Sequence, residues 1–268
     1  MPVFSTPIAS RANPRFKQLR AAFSGNDRLA EGLVAIEGEN LVREALRSGI
    51  DLKTIFVTER FGAPAWLPRR IEIISVSEGV FASAVETQHP QGIAALLQPP
   101  AWTLASVDLR NALLVVAARL QDPGNLGTLI RSAEAFAASA VLATPGTVSA
   151  WNQKALRASA GSVFRVPVVA VTMEDLKSLQ SAGVRLLAAV ADDPDTAPVS
   201  ADTADLTGSC ALMIGNEGSG LDAGLLTLAD ARIAIPMPGR IESLNAAVAG
   251  SLLLYEAARQ RATSKLIR

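Results

Sequence analysis

The sequence predicts an α/β protein in two parts, with a smaller α/β domain followed by a larger domain built on a parallel sheet. The chain has 268 residues, of which 49% are hydrophobic, and this is enough for two compact cores. Segments with helical periodicity alternate with strand-like segments along the chain. A proline-rich break after residue 98 separates two stretches of this alternation.

The first stretch predicts the smaller domain, residues 1–98. In chain order we expect a helix near 14–23, a strand near 33–36, a helix at 39–48, strands at 54–58 and 71–75, a helix near 77–85 and a strand at 92–97. Asn13-Pro14 supports the first helix, because proline is favoured at an early helical position. Gly49 supports the end of the second helix, since glycine commonly follows the last helical turn.

Gln98-Pro99-Pro100 predicts a linker at 99–109, because proline cannot continue a central strand or a helix interior. The second domain then spans residues 110–268. Its first segment, 112–118, is a continuous apolar run of the kind expected for a parallel strand covered on both faces. Further strands are predicted at 140–143, 166–169, 185–190, 210–214 and 232–235, and helices near 125–138, 151–159, 173–182, 222–228 and 244–262. This alternation implies a parallel sheet with helices on both faces.

Charge and composition exclude several classes of protein. Basic and acidic residues both number 25, so no net field attracts the chain to nucleic acid, and RNA contacts would have to be local. The lone Cys210 and the lone His89 argue against disulfide frameworks and Cys/His metal sites, and we expect a buried thiol and a turn histidine. No apolar run has membrane-spanning length and no signal-peptide pattern is present. We therefore expect a cytoplasmic protein without metal or membrane partners.

Three polar, glycine-rich segments interrupt the second domain, and each follows a predicted strand: 120–127, 214–221 and 235–245. Each alone could be structural, because glycine supplies turns and Asp or Asn caps helices. An open parallel sheet, however, binds its ligands at the carboxyl ends of its strands. Together the segments predict one sheet edge that carries Asn125, Arg131, Glu217, Ser243 and Asn245.

The order and spacing of these motifs resemble the SpoU (TrmH-type) RNA methyltransferases of the SPOUT superfamily. The likeness is carried by Asn125-x-Gly127 with Arg131, by Gly215-Asn216-Glu217-Gly218, and by Ser243-Leu244-Asn245 with Tyr255-Glu256. Similar segments at 36–38, 90–93 and 154–161 extend it over nearly the whole chain. The resemblance implies S-adenosylmethionine as cofactor, a homodimer, and a deep trefoil knot in the second domain.

The resemblance also implies roles for individual residues. The cofactor pocket would include Gly215, Ile235, Met237, Leu244 and Val190, and the catalytic set Arg131, Asn125, Glu217, Ser243 and Asn245. A guanidinium stays protonated, with a pKa above about 12, so we expect Arg131 to grip phosphate and stabilise the developing alkoxide rather than act as a base. The alternative for Arg131 is a surface ion pair with Glu134 at i+3.

Local basic residues would contact the RNA. The candidates are Arg11, Arg15, Lys17 and Arg20 in the first domain and Lys154, Arg157 and Arg165 beside the site. The first four could instead be the solvated face of a helix or, since residues 1–20 contain no acid, part of an organelle transit peptide. For the homodimer, small residues in the last helix favour close packing between copies: Ala246, Ala247, Ala249 and Gly250.

The sequence therefore predicts an S-adenosylmethionine-dependent RNA 2′-O-ribose methyltransferase. Large-subunit ribosomal RNA is the favoured substrate, because a full-length N-terminal domain resembles the ribosomal RNA enzymes of the family. The alternatives are a tRNA 2′-O-methyltransferase and a non-catalytic RNA-binding or ribosome-assembly protein. A dinucleotide-dependent oxidoreductase would need a glycine fingerprint after its first strand and an acid about 20 residues later. The aspartate-rich stretch 192–205 matches no calcium loop and is predicted to be a solvated connection.

Overall fold

The computed structural model describes residues 7–25, 31–68, 70–85, 87–192 and 197–266. The chain divides into two compact units, Met1–Ala101 and Trp102–Arg268. In the first unit the elements are α1 (Pro14–Phe23), β1 (Val34–Glu37), α2 (Glu39–Arg47), β2 (Leu52–Thr58), β3 (Glu72–Val76), α3 (Glu78–Ala82) and β4 (Ile93–Leu97). Its sheet has the order β1-β4-β2-β3, in which β2 and β3 are parallel and the other pairs antiparallel.

Helix α1 confirms the predicted first helix of the chain. The Asn13 side chain accepts a hydrogen bond from the backbone N–H of Arg15 at 2.9 Å, which caps the helix start. Phe16 and Leu19 are fully buried in the core of this unit. Helix α3 is shorter than the predicted 77–85, and at its end the Ser83 hydroxyl donates to the carbonyl oxygen of Val80 at 2.7 Å, a local bond that competes with helix continuation.

The second unit is a parallel α/β sheet, as predicted. Its elements are β5 (Leu113–Ala117), α4 (Pro123–Ala135), β6 (Ala140–Ala143), α5 (Gln153–Ser159), β7 (Val168–Ala170), α6 (Met173–Ser181), β8 (Arg185–Val190), β9 (Val199–Ser200), β10 (Cys210–Ile214), α7 (Ala223–Leu228), β11 (Ala231–Ala234) and α8 (Ala246–Leu266). The strand order is β7-β6-β5-β10-β8-β11-β9, and all described pairs are parallel. All residues of β5 and β10 are buried, which explains their unbroken apolar sequences. Threading of the chain through a trefoil knot stays a prediction.

The structure differs from the predicted linker at 99–109. Trp102, Leu104 and Leu109 pack against the core of the second unit, and Val107 is buried in it. The apolar side chains in this otherwise polar stretch explain the difference, because their burial removes apolar surface from water. The second unit therefore begins at Trp102.

The aspartate-rich connection contains a strand that the sequence did not predict. Val199–Ser200 forms β9, which extends the sheet in parallel beside β11. Residues 193–196, which include Asp193 and Asp195, lie outside the described residues. Within the described ranges, no cluster of three or more His, Cys, Asp or Glu residues is arranged to hold a metal ion.

The single cysteine behaves as the small buried residue that the sequence predicted. Cys210 is 0% exposed at the start of β10, and burial raises the pKa of its thiol. His89 lies exposed in a bend, as expected for a turn residue. None of the helices in the described part of the chain combines the length and the apolarity needed to cross a bilayer.

Candidate active site

The loop after β10 closes on itself at the carboxyl edge of the sheet. The backbones of Asn216 and Gly220 exchange two hydrogen bonds, of 3.0 and 2.9 Å. A Cβ atom on Gly215 would lie 2.3 Å from the carbonyl carbon of Gly220. Only glycine fits at this position, because any larger residue would push the two ends of the loop apart.

The Asn216 side chain stabilises this loop and bonds it to the chain that follows β5, the strand beside β10 in the sheet. Its Oδ1 accepts from the backbone N–H groups of Gly218, at 2.9 Å, and Ser219, at 3.2 Å. Its Nδ2 donates to the carbonyl oxygen of Arg119 at 3.0 Å, just beyond the end of β5. Sequence reasoning included Asn216 in a motif without giving it a role, since no local pattern shows this long-range bond.

A chain of amide hydrogen bonds joins the three glycine-rich segments. Asn125 Nδ2 donates to Glu217 Oε1 at 2.6 Å, and Asn245 Nδ2 donates to Asn125 Oδ1 at 2.9 Å. Asn245 Oδ1 in turn accepts from the backbone N–H groups of Ala247 and Val248, which caps the start of α8. The prediction that the three segments converge at one sheet edge is therefore confirmed.

Helix α4 positions Asn125 in its first turn, two residues after the helix begins. Asp122 caps α4, because its side chain accepts from the backbone N–H of Asn125 at 2.9 Å. Lys154 Nζ lies 2.7 Å from Asp122 Oδ2, and this hydrogen bond lowers the pKa of the Asp122 carboxyl. A Cβ on Gly127 would lie 2.4 Å from the carbonyl oxygen of Ala155, so glycine permits close packing of α4 on α5.

A cavity of about 420 Å³ lies beside these bonds at the ends of β8, β10 and β11. This volume is within the usual range for small-molecule sites, about 300–1,000 Å³. The lining combines apolar side chains with the backbone of the glycine-rich loop, which suits an aromatic base and a short polar chain. It includes all five residues predicted for the cofactor, Gly215, Ile235, Met237, Leu244 and Val190, and two of the predicted catalytic residues, Glu217 and Ser243.

Helix α8 contributes cavity residues that sequence reasoning assigned differently. Ala246 and Ala249 line the cavity together with Leu253. A Cβ on Gly250 would lie 2.5 Å from Leu129 Cδ1 of α4, and Ala247 is only 2% exposed. The expectation that these small residues form a face for a second copy is wrong, because they pack within their own chain. The small size of these residues correctly predicted close packing, but the packing partner lies in the same chain.

Arg131 lies on the exposed side of α4 and is not among the residues that line the cavity. Its side chain has no hydrogen-bond or ion-pair partner among the described residues. The alternative pairing with Glu134 is wrong, since Glu134 binds Arg165, with one N–O distance of 3.0 Å. This guanidinium lowers the pKa of the Glu134 carboxyl.

The other predicted RNA contacts differ in their availability. Lys154 and Arg165 already have acidic partners, whereas Arg157 is exposed on α5. In the first unit, Arg15 forms an ion pair of 3.0 Å with Glu72. The other predicted contacts of that unit are exposed and have no polar side-chain partner within the described ranges: Arg11, Lys17 and Arg20.

Comparisons with known proteins agree with this geometry. The SpoU rRNA Methylase family profile matches residues 112–255, and the MRM3-like substrate binding domain profile matches residues 13–95. A 23S rRNA (guanosine(2553)-2′-O)-methyltransferase, RlmP of Bacillus subtilis, is 38% identical over 92% of this chain and 97% of its own length.

Solved structures give the same result. The SpoU methyltransferase AviRb from Streptomyces viridochromogenes, in complex with AdoMet, has a TM-score of 0.82 and 29% identity over 94% of this chain and 99% of its own. An AdoMet-bound rRNA methyltransferase from Sinorhizobium meliloti has a TM-score of 0.81 and 29% identity over 95% of this chain and 97% of its own. The family profile covers more than half of the chain, and the chain therefore belongs to the SpoU rRNA methylase family, as its three converging motifs predicted.

Proposed function

We propose that this protein transfers a methyl group from S-adenosylmethionine to a ribose 2′-hydroxyl of large-subunit ribosomal RNA. The observation that carries this proposal is the bonded set Asn245–Asn125–Glu217 beside a cavity of about 420 Å³. Family membership supports the methyltransferase activity. The solved neighbours that contain AdoMet support the donor.

The residues around the cavity fit this donor. Ile235, Met237 and Leu244 would bury the adenine, and the backbone beside Gly215 would approach it closely. When bound, S-adenosylmethionine supplies a methyl group on a positively charged sulfur. The carboxylate of Glu217 would lie at the mouth of the cavity, held in one orientation by the Asn125 amide.

Arg131 is the proposed residue for gripping the RNA. Its exposed, unpartnered guanidinium on α4 can form a forked pair with a phosphate and stabilise charge that develops on the 2′-oxygen. Asn125 lies on the same helix, six positions earlier, which is about 9 Å along the axis. One rigid helix would therefore align the RNA with the donor cavity, and such positioning supplies much of the rate in an in-line transfer.

The first unit is the proposed docking site for structured RNA. This role is supported by its match to a substrate-binding domain. It is also supported by three exposed side chains that lack partners among the described residues, Arg11, Lys17 and Arg20. Large-subunit RNA is favoured over tRNA because the B. subtilis relative, similar along both units, is named for 23S rRNA. A cytoplasmic location is part of this proposal, since ribosomal RNA would be the substrate.

We also propose a homodimer, through a different face of α8 from the one that the sequence predicted. Val248, Leu252 and Tyr255 are 46, 43 and 54% exposed and follow the spacing of one helix face. The Tyr255 ring meets that of Phe136, at the end of α4, with centroids 5.8 Å apart. Leu252→Glu should convert the dimer to a monomer in light scattering, and a monomeric wild-type protein would contradict the proposal.

Mapping of 2′-O-methyl groups tests the proposed activity. Ribosomal RNA from a strain that lacks the protein should lose one 2′-O-methyl group in the large subunit by mass spectrometry. Purified protein with tritiated S-adenosylmethionine should restore it. Loss of methylation in tRNA alone would favour the tRNA alternative. RNA binding without any transfer would favour the non-catalytic alternative.

A further inference from the structure

A second cavity lies on the same edge of the catalytic sheet, beyond the ends of β6 and β7. It has a volume of about 410 Å³ and is lined by residues 143–151, 168 and 170–172. The described residues that line it include no charged side chain, but several hydroxyls and the Trp151 ring. An uncharged cavity with an aromatic wall suits a flat heterocycle rather than an ion.

The Trp151 ring packs against a second aromatic ring, which restricts its orientation. It packs against the buried Phe164, with centroids 6.2 Å apart and planes at 33°, and it remains half-exposed. The backbone N–H of Trp151 donates to Ser149 Oγ at 3.1 Å, which leaves the Ser149 hydroxyl proton for another acceptor. Aromatic side chains of this kind stack with unpaired RNA bases, whose edges then bind hydroxyl groups.

Arg119 lies between this cavity and the donor cavity. It follows β5 with a φ of 56°, a conformation that side-chain-bearing residues rarely adopt. Its backbone N–H donates to Thr144 Oγ1 at 3.1 Å, and its carbonyl accepts from Asn216 Nδ2 at 3.0 Å. Thr144 and Asn216 therefore fix the backbone of Arg119. Its guanidinium is exposed and has no partner in the part of the chain that the structure describes.

Arg119 also lines a third cavity, of about 450 Å³, which shares residues 144–146 with the second. Asp222 is the only acid among the described residues that line either cavity. Its carboxylate already accepts the backbone N–H of Leu225 at 2.9 Å, as the cap of α7. The surface is therefore positive at Arg119, which is complementary to a phosphate, and uncharged around Trp151, which is complementary to a base.

The strand order sets the distance between the two cavities. β10, β5 and β6 are neighbours in the sheet, and strands lie roughly 5 Å apart, so the end of β6 is about 10 Å from the end of β10. This distance is short enough for a neighbouring nucleotide of the same RNA strand. Asn216 lines the donor cavity and binds Arg119, so the two sites share one rigid loop.

We propose that Arg119 and the cavity beside Trp151 form a subsite for a nucleotide adjacent to the methylated one in the substrate RNA. Arg119 binds the phosphate, and the unstacked base enters the cavity against Trp151. The subsite rests on the proposed function, because its occupant is part of the methylated strand. With this subsite, recognition of the RNA requires the nucleotide next to the methylated one to be unpaired.

Two variants and two controls test the subsite. Arg119→Gly removes the guanidinium and suits the positive φ, so its folding should be preserved. Ala170→Phe fills the cavity from an exposed lining position at the end of β7. Arg110→Ala is the matched control, since Arg110 is exposed near the opposite end of β5. Each protein is assayed with in vitro transcribed 23S rRNA for methyl transfer, and by filter binding at several salt concentrations.

Arg119→Gly should raise the KM for RNA several-fold and reduce the slope of log affinity against log salt by about 0.7, the contribution of one phosphate on a single strand. Arg119→Lys, the second control, retains the positive charge and should keep that slope. Ala170→Phe should raise the KM about tenfold, as expected for loss of one stacked base, without changing the slope. Arg110→Ala should change neither quantity, and donor affinity should stay constant throughout.

Wild-type KM and salt slope in both variants would overturn the subsite. A change of oligomeric state in Ala170→Phe without loss of RNA affinity would also overturn it, because the cavity would then face a second copy. A wild-type protein that binds this RNA but transfers no methyl group would contradict the proposed function. The filter-binding slopes test the subsite in that case too, so the two failures are distinguishable.

Discussion

The two edges of the catalytic sheet differ in how their polar groups are used. At the carboxyl edge, the Arg119 guanidinium is exposed and lacks a partner among the described residues. At the amino edge, Arg261 donates to the carbonyl oxygens of Leu206, Asn111 and Ala112, at 2.9, 2.7 and 3.1 Å. The cation at the carboxyl edge is therefore available to a ligand. The cation at the amino edge joins α8 to residues 111–112 and to residue 206.

Helix α8 contacts both edges. Asn245 caps its start beside the donor cavity, and Arg261 lies 16 positions later, about 24 Å along the axis. From this difference we expect residues that stabilise the fold and residues that act in the reaction to lie at opposite edges of the sheet. Substitutions at the amino edge should therefore reduce stability, and substitutions at the carboxyl edge should reduce activity.

The largest effect is expected for Arg131→Ala on α4, the helix that begins at the carboxyl edge. Methyl transfer should fall about 100- to 1,000-fold, as for loss of one group that stabilises developing charge. The melting temperature should not change, because the side chain is exposed and unpartnered. Tritiated methyl transfer and thermal unfolding measure the two effects, with Arg110→Ala as control. Near-full transfer with intact donor binding would refute the role of Arg131.

The next effect is expected for Arg261→Ala at the amino edge. Unfolding by urea should show a loss of about 2–4 kcal/mol, because several carbonyl groups, most of them in part-buried hydrogen bonds, lose a charged donor. Transfer per folded molecule should not change. Arg259→Ala is the matched control on the same helix, since Arg259 is half-exposed and pairs with Glu256, and should cost less than about 1 kcal/mol. Equal losses in both variants would contradict the comparison.

Gly215→Ala should weaken donor binding with a smaller effect on stability. The added Cβ would meet the Gly220 carbonyl carbon at 2.3 Å, so the loop must shift and reshape the cavity. A shift of this kind costs about 1–3 kcal/mol, and the same loss in donor binding is a fall in affinity of about 5- to 150-fold in calorimetry. Gly208→Ala at the amino edge is the control, because its Cβ would meet nothing within 4 Å. Unchanged affinity in Gly215→Ala would exclude this loop from the donor site.

The smallest effect concerns pH and the Glu134–Arg165 pair. The Arg165 guanidinium holds the pKa of Glu134 below its usual value, so the stabilisation is fully present above the unfolded carboxyl pKa, about 4.3. It is lost as pH falls through the lowered folded value. Wild type should exceed Glu134→Gln by less than about 1 kcal/mol at pH 7, and the difference should shrink below about pH 4. A difference that grows on acidification would have the wrong sign.

Much of the fold could be predicted because periodicity and capping are local. A few neighbouring residues are enough to predict three of its features: the buried strand β5, the helix cap at Asn13 and the close packing of α8. The short strand β9 and the packing of Trp102 could not be predicted, since both depend on partners far along the chain. The same limit applies to Arg131 and Glu134, whose spacing favoured a pair that Arg165 prevents.

The sequence by itself determined the parallel α/β domain, the three polar segments and the residue types that line the cavity beside Gly215. Each of these depends on short-range pattern or on a family motif. Only the tertiary structure decided that Asn125 joins Glu217 and Asn245 across 92 and 120 residues. It also decided that Arg119, which has no side-chain partner among the described residues, lies beside Thr144 of the second cavity. Hydrogen bonds form between groups that are close in space, and the folded chain alone sets which distant residues become close.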